Sequence, residues 1–146
     1  MSIIADPRMR EWEASVPRGM RDDVIWRFHA YRVALFMLHL SREDARHCPA
    51  LSRGNGVADQ LIRAVASVSA NIADGYRRST PRDRTRFYDI ALGSLREATR
   101  WYEAARPYLP GTTVDTRLEE FTELRRLLFG VIRALRKLPS DTRIMS

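Results

Sequence analysis

The sequence predicts an all-α protein, an antiparallel up-and-down four-helix bundle making a single domain. Three observations predict it. Proline and glycine clusters divide the chain into four apolar segments of helical length. Within those segments apolar residues recur every three or four positions. No stretch alternates apolar and polar residues as a half-buried strand does. The 146 residues, 45% hydrophobic and 29% charged, have the size and balance of one globular domain, which excludes a disordered or collagen-like chain. A domain of that length buries roughly 70% of its unfolded surface without a metal or disulfide.

The elements follow in order. Residues 1–21 carry Pro7, Pro17 and Gly19, with Trp12 as the large apolar anchor, and read as a loosely docked N-terminal extension. The bundle occupies residues 22–138. Its first helix runs from Asp22 to about Leu40, with Asp22 and Asp23 where a helix N-terminus favours acids. Pro49, Gly54, Asn55 and Gly56 make a loop of the stretch from Ser41 to Gly56. The second helix runs from Val57 to Asp74, and Gly75 ends it in a left-handed conformation. Thr80 and Pro81 are the N-cap and first residue of the third helix, which ends before Pro107. Pro110 and Gly111 break the chain again. The fourth helix runs from Val114 to Lys137, with Thr113 as its N-cap and Pro139 closing it. A tail, 139–146, remains.

The apolar stripes say what each helix buries. The fourth aligns Phe121, Leu124, Leu128, Val131, Ile132 and Leu135, and the third Phe87, Ile90, Ala91, Ser94, Ala98, Trp101 and Ala105. The second is rich in alanine and serine, so its neighbours can approach closely. The first has two stripes. Val24, Phe28, Tyr31, Leu35 and Leu38 suffice to close a bundle, yet Trp26, Val33, Met37 and Leu40 fall together on the opposite side. A monomeric bundle leaves that second stripe in water, which is unusual for a contiguous apolar patch. The expected cover is a second copy of the chain, in a homo-oligomer. The alternative is the N-terminal extension folding back through Trp12.

Charge gives the main functional signal. Lysine plus arginine outnumber acids by 25 to 18, a net +7, and Lys137 is the only lysine. Arginine's planar fork suits phosphate. Between Gly75 and Arg86 stand Arg77, Arg78, Arg82, Arg84 and Arg86 against the single acid Asp83, a net +4 within twelve residues. They surround a helix N-terminus, whose amides and dipole also favour anions. Tyr76 and Tyr88 flank the segment and are placed to stack on an unpaired base. This connector is the candidate contact for RNA or DNA phosphate. The alternative is a solvated turn whose arginines pair with neighbouring acids. Arg126, Arg133, Arg136 and Lys137 near the end of the fourth helix suit its dipole.

Other chemistry is thin. His29, His39 and His47 share no ligand spacing, and Cys48 has no base positioned by a third group. Without a phosphate-binding loop or a dinucleotide fingerprint, no enzyme, cofactor, metal or small-molecule substrate is expected. One cysteine excludes an internal disulfide and suits a reducing cytoplasm. No apolar run approaches membrane length and the N-terminal residues lack a signal-peptide core, so the expected setting is cytoplasmic with no membrane partner.

Two blocks carry a family resemblance. Residues 61–78 read LIRAVASVSANIADGYRR, and residues 86–97 read RFYDIALGSLRE. They resemble the four-helix-bundle family of 23S rRNA intervening-sequence proteins, whose motifs typically read RRAAVSIPANIAEGYGR and RFLNIALGSLRELE. The departures are Ser69 at the common proline, Asp74 at the common glutamate, and the long extension. The resemblance implies a four-helix bundle assembling as a homopentameric ring, with no catalytic activity and an association with ribosomal RNA genes. Within the matched blocks Asn71, Ser94 and Glu97 are polar residues beside apolar stripes, expected to hydrogen-bond between the second and third helices rather than form a small polar site. Gly93, costing about 1 kcal/mol against alanine in a helix, is expected to mark a close backbone approach. The competing functional reading is an oligomeric protein-interaction scaffold with no nucleic-acid role.

Overall fold

A computed structural model describes residues 2–50, 54 and 56–144. Asn55 of the expected loop and the last two residues of the expected tail lie outside the described residues. The chain is an all-helical single domain, with no strand among the described residues. Its α-helices are α1 (Pro7–Ser15), α2 (Arg18–Arg21), α3 (His29–Ala45), α4 (Val57–Tyr76), α5 (Pro81–Ala105) and α6 (Gly111–Arg136). The four long ones, α3 to α6, enclose the core. Contacts run from α3 to α4, α4 to α5, α5 to α6 and α6 back to α3.

The extension is folded and docked, contrary to the loose segment expected. Asp6 caps α1 by accepting from the Arg8 amide at 2.9 Å, and Pro7 takes the first helical position. Ile3, Met9 and Val16 are buried in the structure. Fully burying an isoleucine or methionine stabilises by roughly 1.5–3 kcal/mol, which favours docking of the segment. The Trp12 ring lies 5.5 Å from Phe36 and 5.9 Å from Trp26. Ser2 Oγ and the Ile3 amide donate to the Glu123 carboxylate of α6.

This docking corrects the expected oligomer seam. Val33 and Met37 are wholly buried and Leu40 is 3% exposed, all within one chain. Trp26 is half-buried against Trp12. The second stripe is therefore a core face, and Val24 from the supposed inner stripe is 42% exposed. The reason is local. Asp23 caps a 3₁₀ turn, Val24–Arg27, and Phe28 is extended, so α3 begins only at His29 and continues to Ala45. A helix apolar on nearly all sides is a buried helix, and the extension supplies its outer cover.

Further boundaries shift for physical reasons. Helix α4 runs through Gly75 to Tyr76, and the one described glycine with positive φ is Gly54, at +68°. Helix α6 begins at Gly111, because the Thr113 and Val114 amides already donate to the Pro110 carbonyl. Thr80 caps α5 as expected, its hydroxyl accepting from the Asp83 amide at 3.3 Å. The close approach expected at Gly93 occurs at Gly75 instead. A Cβ on Gly93 meets nothing within 4 Å, whereas one on Gly75 lands 2.6 Å from the Tyr88 ring.

Candidate nucleic-acid interface

The α4–α5 connector is built by two arginines that hold it and three that face out. Arg84 is buried, donates from Nε to the Arg78 carbonyl at 2.8 Å, and lies 5.2 Å above the Tyr76 ring. Arg78, half-buried, has its guanidinium carbon 4.4 Å from the centre of the Phe87 ring. These two guanidinia fix the turn. Arg77, Arg82 and Arg86 are exposed. Arg77 pairs with Asp74 at 3.5 Å and Arg82 with Asp141 at 3.3 Å, both solvent-exposed pairs of the kind that contribute little. Arg86 makes no ion pair with the described residues, and its guanidinium lies 5.7 Å from the same Phe87 ring.

Several expectations for this segment change. Arg84 is structural and out of reach of a phosphate. The Tyr76 ring stacks on Phe28 at 5.5 Å and carries Arg84, so its faces serve the protein. Tyr88 is 1% exposed beneath Gly75, and burial pushes its hydroxyl pKa up to about 12. Neither tyrosine offers a base a free face. The first turn of α5 is also occupied. Thr80 Oγ1 takes the Asp83 amide, and the Ser140 carbonyl takes the Arg82 amide at 3.4 Å.

The chain beyond α6 contributes residues that sequence patterning did not reveal. Thr142 donates to the Pro139 carbonyl, turning the segment back over the connector. There the Ile144 amide meets the Ser79 carbonyl at 2.7 Å, and Arg143 Nη1 meets Ser79 Oγ at 3.3 Å. Arg143 thus joins the basic surface. A tail of polar residues carries no periodicity that foretells such docking.

The polar residues between α4 and α5 are partly as expected. Ser94 Oγ bonds Ser67 Oγ at 2.8 Å, and Asn71 Nδ2 donates to the Ser67 hydroxyl and carbonyl. Glu97 is exposed and takes no part in these bonds. Asn71 consequently braces its own helix, and Ser67 makes the crossing.

A second polar cluster lies toward the other end of the long helices. Arg117 Nε donates to Asp44 Oδ2 at 2.8 Å, Arg117 Nη1 to Glu120 Oε1 at 2.8 Å, and the Tyr102 hydroxyl to Asp44 Oδ2 at 2.7 Å. Ser41 Oγ completes it at 2.9 Å from the Tyr102 hydroxyl. Burial opposes the Arg117 charge, but Asp44 and Glu120 outweigh it and its pKa is raised. The available signal was register. Arg117 falls between Val114 and Phe121 on the inward stripe of α6, where a charge requires a partner.

Glu120 is the least satisfied member of this buried cluster. Its Oε2 is buried with no hydrogen bond to the described residues, and burial raises its pKa against the pull of Arg117. A carboxyl raised in the fold stabilises most below its unfolded pKa, and that contribution is lost as pH rises through the folded value. Glu120→Gln is therefore expected to gain stability over the wild type as pH goes from acid to neutral. Melting temperatures of both proteins across that range test it, and a constant difference between them sinks the assignment.

Among the described residues no three His, Cys, Asp or Glu side chains gather to hold a metal, and no helix is long and apolar enough to cross a membrane. Burial raises the Cys48 thiol pKa above its ordinary value, the wrong direction for a nucleophile.

Residues 40–130 match the family described as 23S rRNA-intervening sequence protein. Among solved structures, the chain is similar to a protein of unknown function from the S23 ribosomal protein family of Bacteroides thetaiotaomicron VPI-5482. The two share 19% identity and a TM-score of 0.63, over 70% of this chain and 97% of the other. That likeness shows the fold alone. No curated protein matches the sequence.

Proposed function

We propose, since the chain belongs to the 23S rRNA-intervening sequence protein family, that it is a non-catalytic nucleic-acid-associated protein whose α4–α5 connector contacts phosphate. One observation carries the reading. The connector spends Arg78 and Arg84 on its own rigidity and leaves Arg77, Arg82 and Arg86 outward, with only weak exposed pairs against them. Rigid presentation of guanidinia lowers the ordering cost of each phosphate contact. The four long helices act as a four-helix bundle in a cytoplasmic homo-oligomeric ring of five, which repeats the patch and multiplies a modest single-site affinity. With Val33, Met37 and Leu40 committed to the core, the outward apolar residues available for assembly include Ile90 and Phe129, 45% and 47% exposed.

A second reading rests on a different observation. The seam between α5 and α6 holds a crevice of about 450 Å³ lined by Leu92, Leu118 and Phe129, which favours a protein-interaction scaffold.

Binding of labelled single-stranded RNA and duplex DNA over a salt series separates the two. The wild type is expected to bind with an affinity that falls steeply with salt. The triple variant Arg77→Glu, Arg82→Glu, Arg86→Glu is expected to bind about tenfold more weakly at low salt, with a salt slope flatter by about two. Equal binding and equal slope in the two proteins overturn the nucleic-acid reading.

A further inference from the structure

We propose that residues 139–144 form a displaceable strap over the connector, with the Asp141 carboxylate holding on Arg82 the place of a nucleic-acid phosphodiester. The inference rests on the phosphate-binding reading of the same surface and adds how that surface is regulated. Pro139 closes α6, and the turn from its carbonyl to the Thr142 amide directs the chain back across the start of α5. Four contacts hold it there. They are the Ile144 amide on the Ser79 carbonyl at 2.7 Å, the Arg82 amide on the Ser140 carbonyl at 3.4 Å, Arg143 Nη1 on Ser79 Oγ at 3.3 Å, and the Arg82–Asp141 ion pair at 3.3 Å.

The chemistry of these contacts suits exchange. Asp141 presents an anionic oxygen to an outward-facing guanidinium of the connector, as a phosphodiester does. Both side chains are open to solvent, 68% for Arg82 and 82% for Asp141, so the pair is weak and screened by salt. A polyanion that engages Arg77 and Arg86 together with Arg82 outcompetes a lone carboxylate through multivalency. Arg143 travels with the strap, so the segment carries a cation as well as the competing acid, and displacement removes Asp141 from the phosphate's path.

The test uses the full chain, its Asp141→Asn variant and an Asp115→Asn control. Asp115 lies near the start of α6, far along the helix from the connector, and removes the same charge. Affinity is read by anisotropy of a labelled single-stranded RNA and of a DNA of matching sequence. Amide hydrogen exchange of Ile144 in the wild type is followed with and without the RNA. Asp141→Asn is expected to bind about threefold tighter, Asp115→Asn unchanged, and the Ile144 amide to lose protection when RNA is added. The strap is overturned if Asp141→Asn binds no tighter than wild type, if Asp115→Asn gains as much, or if Ile144 stays protected in the complex. In each of those results the wild type still binds, so the phosphate-binding reading stands. If neither wild type nor Asp141→Asn binds either nucleic acid, that reading falls and the strap with it.

Discussion

Replacing Arg117 by alanine is expected to destabilise the protein by about 3–5 kcal/mol, the cost of stranding a buried charge. The guanidinium is the counter-charge for both Asp44 and Glu120, and all three residues are buried, at 6%, 8% and 3% exposure. Without it Asp44 keeps, among the described residues, the Tyr102 hydroxyl as its one side-chain donor, and Glu120 loses the bond to Oε1 while Oε2 already lacks a partner among them. The two carboxylates then either remain charged in a poor dielectric or take up protons. A urea titration reads the result as a fall in midpoint at nearly constant slope. Arg106→Ala is the control, because its pairs with Glu103 and Asp115 lie in solvent and losing them should change little. A midpoint shift for Arg117→Ala no larger than that control rules out the cluster as a structural element.

Gly75→Ala is expected to cost about 2–3 kcal/mol, the upper part of the range for overpacking a core. The new methyl falls 2.6 and 2.9 Å from two carbons of the Tyr88 ring and 3.0 Å from Phe87 Cβ. Tyr88 cannot simply swing aside. It is 1% exposed and packs on Phe28 at 5.8 Å, which in turn stacks on Tyr76. Relief requires α4 and α5, the two helices in most extensive contact, to separate. For a domain of this size the loss corresponds to a melting temperature lower by roughly 4–12 °C. Gly93→Ala provides the contrast. Its methyl meets open space, so the gain in helix propensity should raise stability by up to about 1 kcal/mol. If both alanine variants shift the melting temperature in the same direction, the close approach at Gly75 does not govern the packing.

These two glycines show where sequence reading succeeds and where it stops. Gly93 stands out within a helical pattern and Gly75 reads as a helix end, but the sequence records only that a side chain is missing. Which helix comes close to the gap is a tertiary fact. The α5 start was legible because Thr80 and Pro81 act within one turn of the chain. The α3 start was not, since an Asp-capped 3₁₀ turn ending in an extended Phe28 leaves no periodic signature. Likewise the connector's net charge was plain, but its division into holding and presenting arginines was not. That division depends on Phe87, Tyr76 and the Arg78 carbonyl, which lie in different turns. The second stripe of α3 needed no second copy of the chain, because Val33, Met37 and Leu40 lie in the core, while Trp12 covers the adjoining Phe36 and His39 and packs on Trp26.

The bond between Ile3 and Glu123 bears on events during synthesis. The partners stand 120 residues apart, and residue 123 does not exist when residue 3 leaves the ribosome. That bond therefore waits while α3, α4 and α5 are made, whereas the Trp12 contacts with Trp26 and Phe36 need only α3. Closing so long a loop late in the process is entropically slow. Emergence of α6, rather than of the extension itself, sets the moment at which Ile3 is tied to Glu123.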